Sequence, residues 1–200
     1  MNKLSIAALT LLSLTVAAAT ASAETPATAE RGQVGAALKY GIYMGDTGES
    51  DLNPYGIGLG VNGGYTLGFG LFVGGQFDYY FGGSEETEFA GSTLEFNAKV
   101  FDFMGQVGYD IGLSPDFVLR PQAGVGLASF GGKICAGGRC ESPDRESHFA
   151  LVPGVKALYD VGPVMLTGEA SYQMVFVDED GSEASDGDAF VLGLGANLAF

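Results

Sequence analysis

The sequence predicts an all-β protein, eight antiparallel strands in an up-and-down transmembrane barrel, and three observations carry that expectation. Apolar residues recur with a period of two rather than 3.6 along most of the chain. Connections between the alternating segments are short and long in strict turn. Beyond the first residues, no apolar run approaches the roughly 18 residues that a spanning helix requires. Yet mean hydropathy is +0.22, and Gly accounts for 33 of 200 residues. An apolar chain of this kind crosses lipid as a closed sheet, because only helices and barrels satisfy every backbone polar group there.

The first residues read as an address. Met1-Asn2-Lys3 is a short basic start, Leu4 to Ala19 is apolar, and Ala21-Ser22-Ala23 has the small-x-small pattern that signal peptidase accepts. Residues 1–23 are therefore expected to be a cleaved signal peptide, 24–32 a short lead and 33–200 the barrel, one domain by length. Loss of Lys3 leaves 8 basic against 24 acidic residues, a formal charge of −16. That balance excludes a nucleic-acid partner, since phosphates need Lys and Arg.

Eight segments alternate. The first, about Gln33 to Met44, sets Val34, Leu38, Tyr40 and Ile42 opposite Gln33, Gly35, Lys39 and Gly41. The second, about Tyr55 to Thr66, sets Ile57, Leu59, Val61 and Tyr65 against a row of glycines and Asn62. In the third, Phe69 to Phe81, the opposite row holds Phe72, Gln76, Asp78 and Tyr80. The fourth, about Thr93 to Ile111, changes parity between Ala98 and Phe101, and a bulge near Lys99 to Asp102 would reconcile its halves. The fifth, Phe117 to Phe130, carries Arg120 and Gln122 opposite Leu119 and Val125; the sixth, His148 to Asp160, carries Lys156 opposite Val155. The seventh, Val164 to Val177, carries Glu169, Ser171 and Gln173 opposite Leu166 and Tyr172. The last alternates cleanly from Phe190 to Phe200. Pro121 and Pro153 fall inside two of these strands, where each removes a ladder N–H and calls for a bulge or a shifted boundary.

Leu67-Gly68, Ser114-Pro115-Asp116 and Gly162-Pro163 are tight turns. The intervening connections, about 45–54, 82–92, 131–147 and 178–187, are long, which places three turns at one end and four loops at the other. The apolar rows end in aromatics at both levels: Tyr65, Phe69, Tyr109, Phe117, Tyr159 and Phe200 on the turn side, and Tyr55, Phe81, Phe149, Phe176 and Phe190 on the loop side. Two such girdles put lipid outside, with the loops facing the cell exterior, rather than a soluble lipocalin-like barrel.

In these features the chain resembles the small OmpA/OmpX-type outer-membrane barrels over essentially all of the sequence that follows the signal. Gly195-Ala196-Asn197-Leu198-Ala199-Phe200 is similar to that family's assembly signal, with Gly195, Leu198 and the terminal Phe200 in matching places, although Gly193 replaces its polar residue. The resemblance implies a Gram-negative outer-membrane location and delivery to the barrel assembly machinery. Outer-membrane lipids and lipopolysaccharide are the expected surroundings of a monomer.

Six charges share the inward parity: Lys39, Asp78, Asp102, Arg120, Lys156 and Glu169. Eight strands enclose just enough room for side chains, so buried charges there must pair. A salt-bridge plug is the expectation, with a narrow channel for ions or small solutes as the alternative. Cys135 and Cys140, the only cysteines, are expected to form a disulfide in an exported chain; two thiols do not make a zinc site. Glu85, Glu86, Glu88 and the run from Asp178 to Asp188 make the loops acidic, without EF-hand spacing. His148 beside Ser147, Glu146 and Asp144 is the one constellation that hints at a lipid-active enzyme, but neighbouring strand residues point to opposite faces. No cofactor or catalytic set emerges. The expected role is a non-enzymatic barrel serving envelope integrity or surface interaction.

Overall fold

The computed structural model describes residues 28–45, 53–89, 92–136, 139–142, 145–177 and 187–200. The expected signal peptide, the start of the lead and the acidic run from Asp178 to Asp186 lie outside them. The chain order of strands is β1 (Arg31–Tyr43), β2 (Gly56–Thr66), β3 (Leu71–Tyr80), β4 (Ser84–Phe89), β5 (Ser92–Tyr109), β6 (Ile111–Ser114), β7 (Phe117–Ala136), β8 (Arg139–Glu141), β9 (Glu146–Asp160), β10 (Val164–Phe176) and β11 (Ala189–Ala199). Neighbours pair antiparallel around a closed ring, β5-β3-β2-β1-β11-β10-β9-β7 and back to β5. This is an eight-stranded barrel, since β4 prolongs β3, β6 prolongs β5, and β8 only flanks the outer end of β7. The seam joins first strand to last: Gln33 faces Ala199 and Tyr43 faces Ala189, while Gly32 and Phe200 exchange backbone hydrogen bonds of 2.8 and 2.9 Å. No edge is left for another chain to pair with along the seam.

The apolar parity points outward. Leu38, Leu59, Val73, Phe103, Leu127, Leu166 and Leu194 are all half exposed or more, and they form part of a continuous belt. A soluble monomer rarely shows apolar patches beyond a few hundred Å². Lipid is the solvent that such a belt requires. Rings pack along its loop-side rim: Tyr79 lies 4.9 Å from Phe81 and 4.7 Å from Phe101, and Phe149 lies 5.8 Å from Phe176. Tyr55 departs from the expected girdle. It is fully buried, because the chain turns at Gly56, with φ +62°, and aims the ring over the lumen mouth. There its hydroxyl donates to the Gly187 carbonyl (2.6 Å) and its ring meets Tyr80 edge-on at 5.2 Å.

The three short turns fall where expected, although the first takes four residues, Leu67 to Gly70, so Phe69 belongs to the turn and not to the third strand. Gly70 (φ +92°) closes the first with its N–H on the Leu67 carbonyl, and Gly162 (φ +101°) lies in the third, its N–H on the Asp160 carboxylate. Two of the long connections contain more strand than loop. β4 and β5 pair out to Phe89 and Ser92, and β5 pairs with β7 as far as Leu94 and Ala136, so one side of the barrel stands taller than the other. The expected bulge at Lys99 to Asp102 is on the facing strand instead. β5 keeps one register with β7 throughout, whereas Phe81 to Gly83, with Gly82 at φ +66°, set three residues against Ala98 and Lys99. Apolar parity changes in β5 because Val100 belongs to an apolar cap inside the barrel, with Tyr55, Tyr80, Ala189 and Val191.

Neither proline needs a bulge. The Pro121 carbonyl faces β5, so its missing N–H does too, and it falls where the ladder lapses at Asp110 between Gly108–Gln122 and Ile111–Leu119. Pro153 sits in a gap of the β9–β10 ladder between Gly154–Ser171 and Leu151–Met174, with the same register on both sides. Each ladder breaks where the donor is missing and resumes unshifted.

Candidate functional site: the barrel interior

The expected inward charges are all buried: Lys39, Asp78, Asp102, Arg120, Lys156 and Glu169. They do not form one cluster. In mid-barrel, Lys39 Nζ donates to Asp78 Oδ2 at 2.7 Å and lies 3.6 Å from Glu169 Oε1, while Lys156 Nζ reaches Glu169 Oε2 at 3.1 Å. Register explains the meeting. Lys156 faces Glu169, Glu169 faces Gly193 and Gly193 faces Lys39, so the four residues follow one row across β9, β10, β11 and β1. At Gly193 an added Cβ would rest in ordinary contact with the Lys39 and Glu169 stems, so the row is filled up to that backbone. Gly60 is the glycine that space demands, since a Cβ there would collide with the Asp78 carboxylate.

Asp102 belongs to this cluster by position but, among the described residues, forms no ion pair. It stands directly opposite Asp78 on β5 and accepts a hydrogen bond from Gln173 Nε2 at 3.1 Å across the lumen. Gln106 donates to Gln76 (2.7 Å), and Gln76 to Asp78 Oδ2 (2.6 Å), so neutral amides extend the network from Asp78.

Arg120 turns away from Lys156, its cross-strand neighbour, and pairs with Asp110 through Nε and, at 2.9 Å, through Nη2. Its guanidinium carbon lies 3.8 Å from the Phe72 ring centroid. Asp110 also accepts from Thr28 and, at 3.0 Å, from Thr66. Asp110 is missing from the six expected interior charges. Its neighbours Tyr109 and Ile111 dominate the apolar row there, although simple alternation from Asp102 places it inside. Thr28 lies before β1, so the end of the short lead helps to hold the charge pair. Below, Val118, Leu158 and Met165 close the turn end as a second apolar layer.

Cys135 and Cys140 are disulfide-bonded across the β7–β8 hairpin, facing one another in register. Leu198 and Phe200 are exposed on the lipid side of the closing strand, and Gly195 packs against the Ala36 carbonyl, where a side chain has no room. Ser147 and His148 face opposite ways: the Ser147 hydroxyl shares a 2.7 Å hydrogen bond with Ser129, while His148 stacks near Phe130 and lies 3.8 Å from the Glu146 carboxylate. No shared reacting atom lies between them in that arrangement.

The model of the outer membrane protein beta-barrel domain matches residues 7–200. The chain belongs to that outer-membrane β-barrel family. Its members sit in the outer membrane, which agrees with the apolar belt. No curated protein matches the chain. Among solved structures, a major outer membrane protein from Thermus thermophilus superposes with a TM-score of 0.57 at 17% identity, covering 85% of this chain and 99% of that one. Ail, the attachment invasion locus protein of Yersinia pestis, superposes with a TM-score of 0.51 at 16% identity, covering 86% of this chain and 99% of that one. Identities this low establish a common fold and no common role.

Proposed function

We propose that the protein is a closed, non-enzymatic outer-membrane barrel whose interior is a salt-bridge plug and whose loop end serves envelope integrity or surface interaction. The observation that carries this reading is the stack of buried layers along the lumen. An apolar cap of Tyr55, Tyr80 and Val100 is followed by the Lys39–Asp78–Glu169–Lys156 network, then by Arg120–Asp110 under Phe72, then by Val118, Leu158 and Met165. Every charged group in the stack except Asp102 meets an opposite charge, as burial requires. Assembly through the C-terminal strand, with Gly195, Leu198 and Phe200 as its signal, belongs to the same reading, as does a monomeric state among outer-membrane lipids.

A narrow conduit is the second reading. It draws on buried polar atoms with no protein partner among the described residues, including Asp78 Oδ1, Gln106 Oε1 and Gln122 Oε1. Single-channel recording in planar bilayers separates the two. The plug predicts a silent membrane with wild-type protein. Reproducible conductance that Arg120→Gln or Glu169→Gln alters would refute it.

A further inference from the structure

We infer that the outer face of the β5–β7–β9 wall, just above the lipid belt, is a binding site for a phosphorylated glycolipid headgroup of the outer leaflet. Eight basic residues follow Lys3 in a strongly acidic chain. Three are spent inside the barrel, and Arg31 pairs with Asp160 at the turn end (2.9 Å). Three of the other four, Lys99, Lys133 and Arg145, converge on one shallow cleft of about 100 Å³, with Phe101, Gly131, Gly132 and Ser142 completing its walls.

The register orders this face by height. Phe103, Leu127 and Phe149 form a row across β5, β7 and β9, all exposed to lipid. The next row outward is Phe101, Ser129 and Ser147, an aromatic ring beside two hydroxyls. Above it Lys99 faces Gly131, and Arg145 lies across that glycine, its Cγ within 3.1 Å of where a Cβ would stand. One step further, Lys133 faces Asn97. Apolar, then amphipathic, then basic is the sequence of a membrane interface, and the basic row lies where headgroup phosphates lie.

The site is shaped as well as charged. The Arg145 guanidinium is held over Phe101, 4.6 Å from the ring centroid, which restricts its orientation and leaves its edge for two parallel hydrogen bonds to one phosphate. Two glycines in succession keep the cleft floor at backbone level. Among the described residues, none of the three cations forms an ion pair. The acidic run from Asp178 to Asp188 lies in a different connection, and the three cations gathered here favour an anionic lipid on this wall.

This inference rests on the outer-membrane orientation proposed above and is independent of whether the lumen conducts. The full chain, folded in detergent micelles, would be incubated with phosphorylated lipid A, with the same lipid A after dephosphorylation, or with a soluble glucosamine phosphate, and the bound species counted by native mass spectrometry. Phosphorylated lipid A should be retained roughly tenfold better than its dephosphorylated form. The Lys99→Gln, Lys133→Gln, Arg145→Gln triple variant should lose that preference while still migrating as a heat-modifiable folded band. Arg31→Gln should keep it. Equal retention of both lipids, or an unchanged triple variant, overturns the inference, and retention of the soluble phosphate as tight as that of the lipid overturns the lipid as its source.

Discussion

Near the turns of the barrel, Arg120 is matched one to one by Asp110, whereas in mid-barrel two lysines face three carboxylates. The lower pair is saturated: both carboxylate oxygens accept from the guanidinium, two threonine hydroxyls add to them, and an aromatic ring covers the cation. The upper cluster is a chain of single contacts, Asp78 to Lys39 to Glu169 to Lys156, with Asp102 held by one amide. The same lumen therefore holds a neutral peg and an acid-rich relay. Their difference teaches how space is apportioned. Phe72, seated against Gly64 and Gly74, fills the space beside the first, whereas long side chains fill the second, with Gly60 against the Asp78 carboxylate.

The comparison breaks most readily at the peg. Asp110→Asn leaves a buried guanidinium without its counter-charge and should cost about 3–5 kcal/mol in reversible denaturant unfolding in lipid vesicles. A loss below about 1 kcal/mol would mean that the arginine reaches water. Lys156→Met should cost less, about 1–3 kcal/mol, because its partner Glu169 keeps Lys39. Were it to equal the Asp110 loss, the relay would be as rigid as the peg. Asp102→Asn should be the mildest and should stabilise by up to about 1 kcal/mol. It relieves two like charges set directly opposite on β3 and β5, and the amide oxygen can still accept from Gln173. Marked destabilisation would show that Asp102 carries a partner of its own.

Much of this is legible in the sequence, for a definite reason. A period of two fixes which side of a sheet each residue takes, so Lys39, Asp78, Arg120, Lys156 and Glu169 can be assigned to the interior without coordinates. Parity carries no height, however. The separation of Arg120 from the other five charges depends on register between strands distant in sequence. Asp110 is hidden between two prominent apolar neighbours at a lapse in the ladder. Tyr55 joins the girdle only if alternation is extended one position too far, past a glycine whose positive φ redirects the chain. The prolines look like faults since a sequence does not reveal where a neighbouring ladder already stops. Function is legible only as far as architecture, because a plug is recognised by who meets whom.

The most direct test of a lumen closed by paired charge is a double-mutant cycle on its lower pair. Unfolding free energies in vesicles would be compared for wild type, Arg120→Met, Asp110→Leu and the two combined. Each single change should lose about 3–5 kcal/mol, and the double variant should recover most of it, because apolar groups of similar size replace a matched ion pair without stranding a charge. Losses that simply add would contradict the account, showing that Arg120 and Asp110 are satisfied separately and that the interior is open to water.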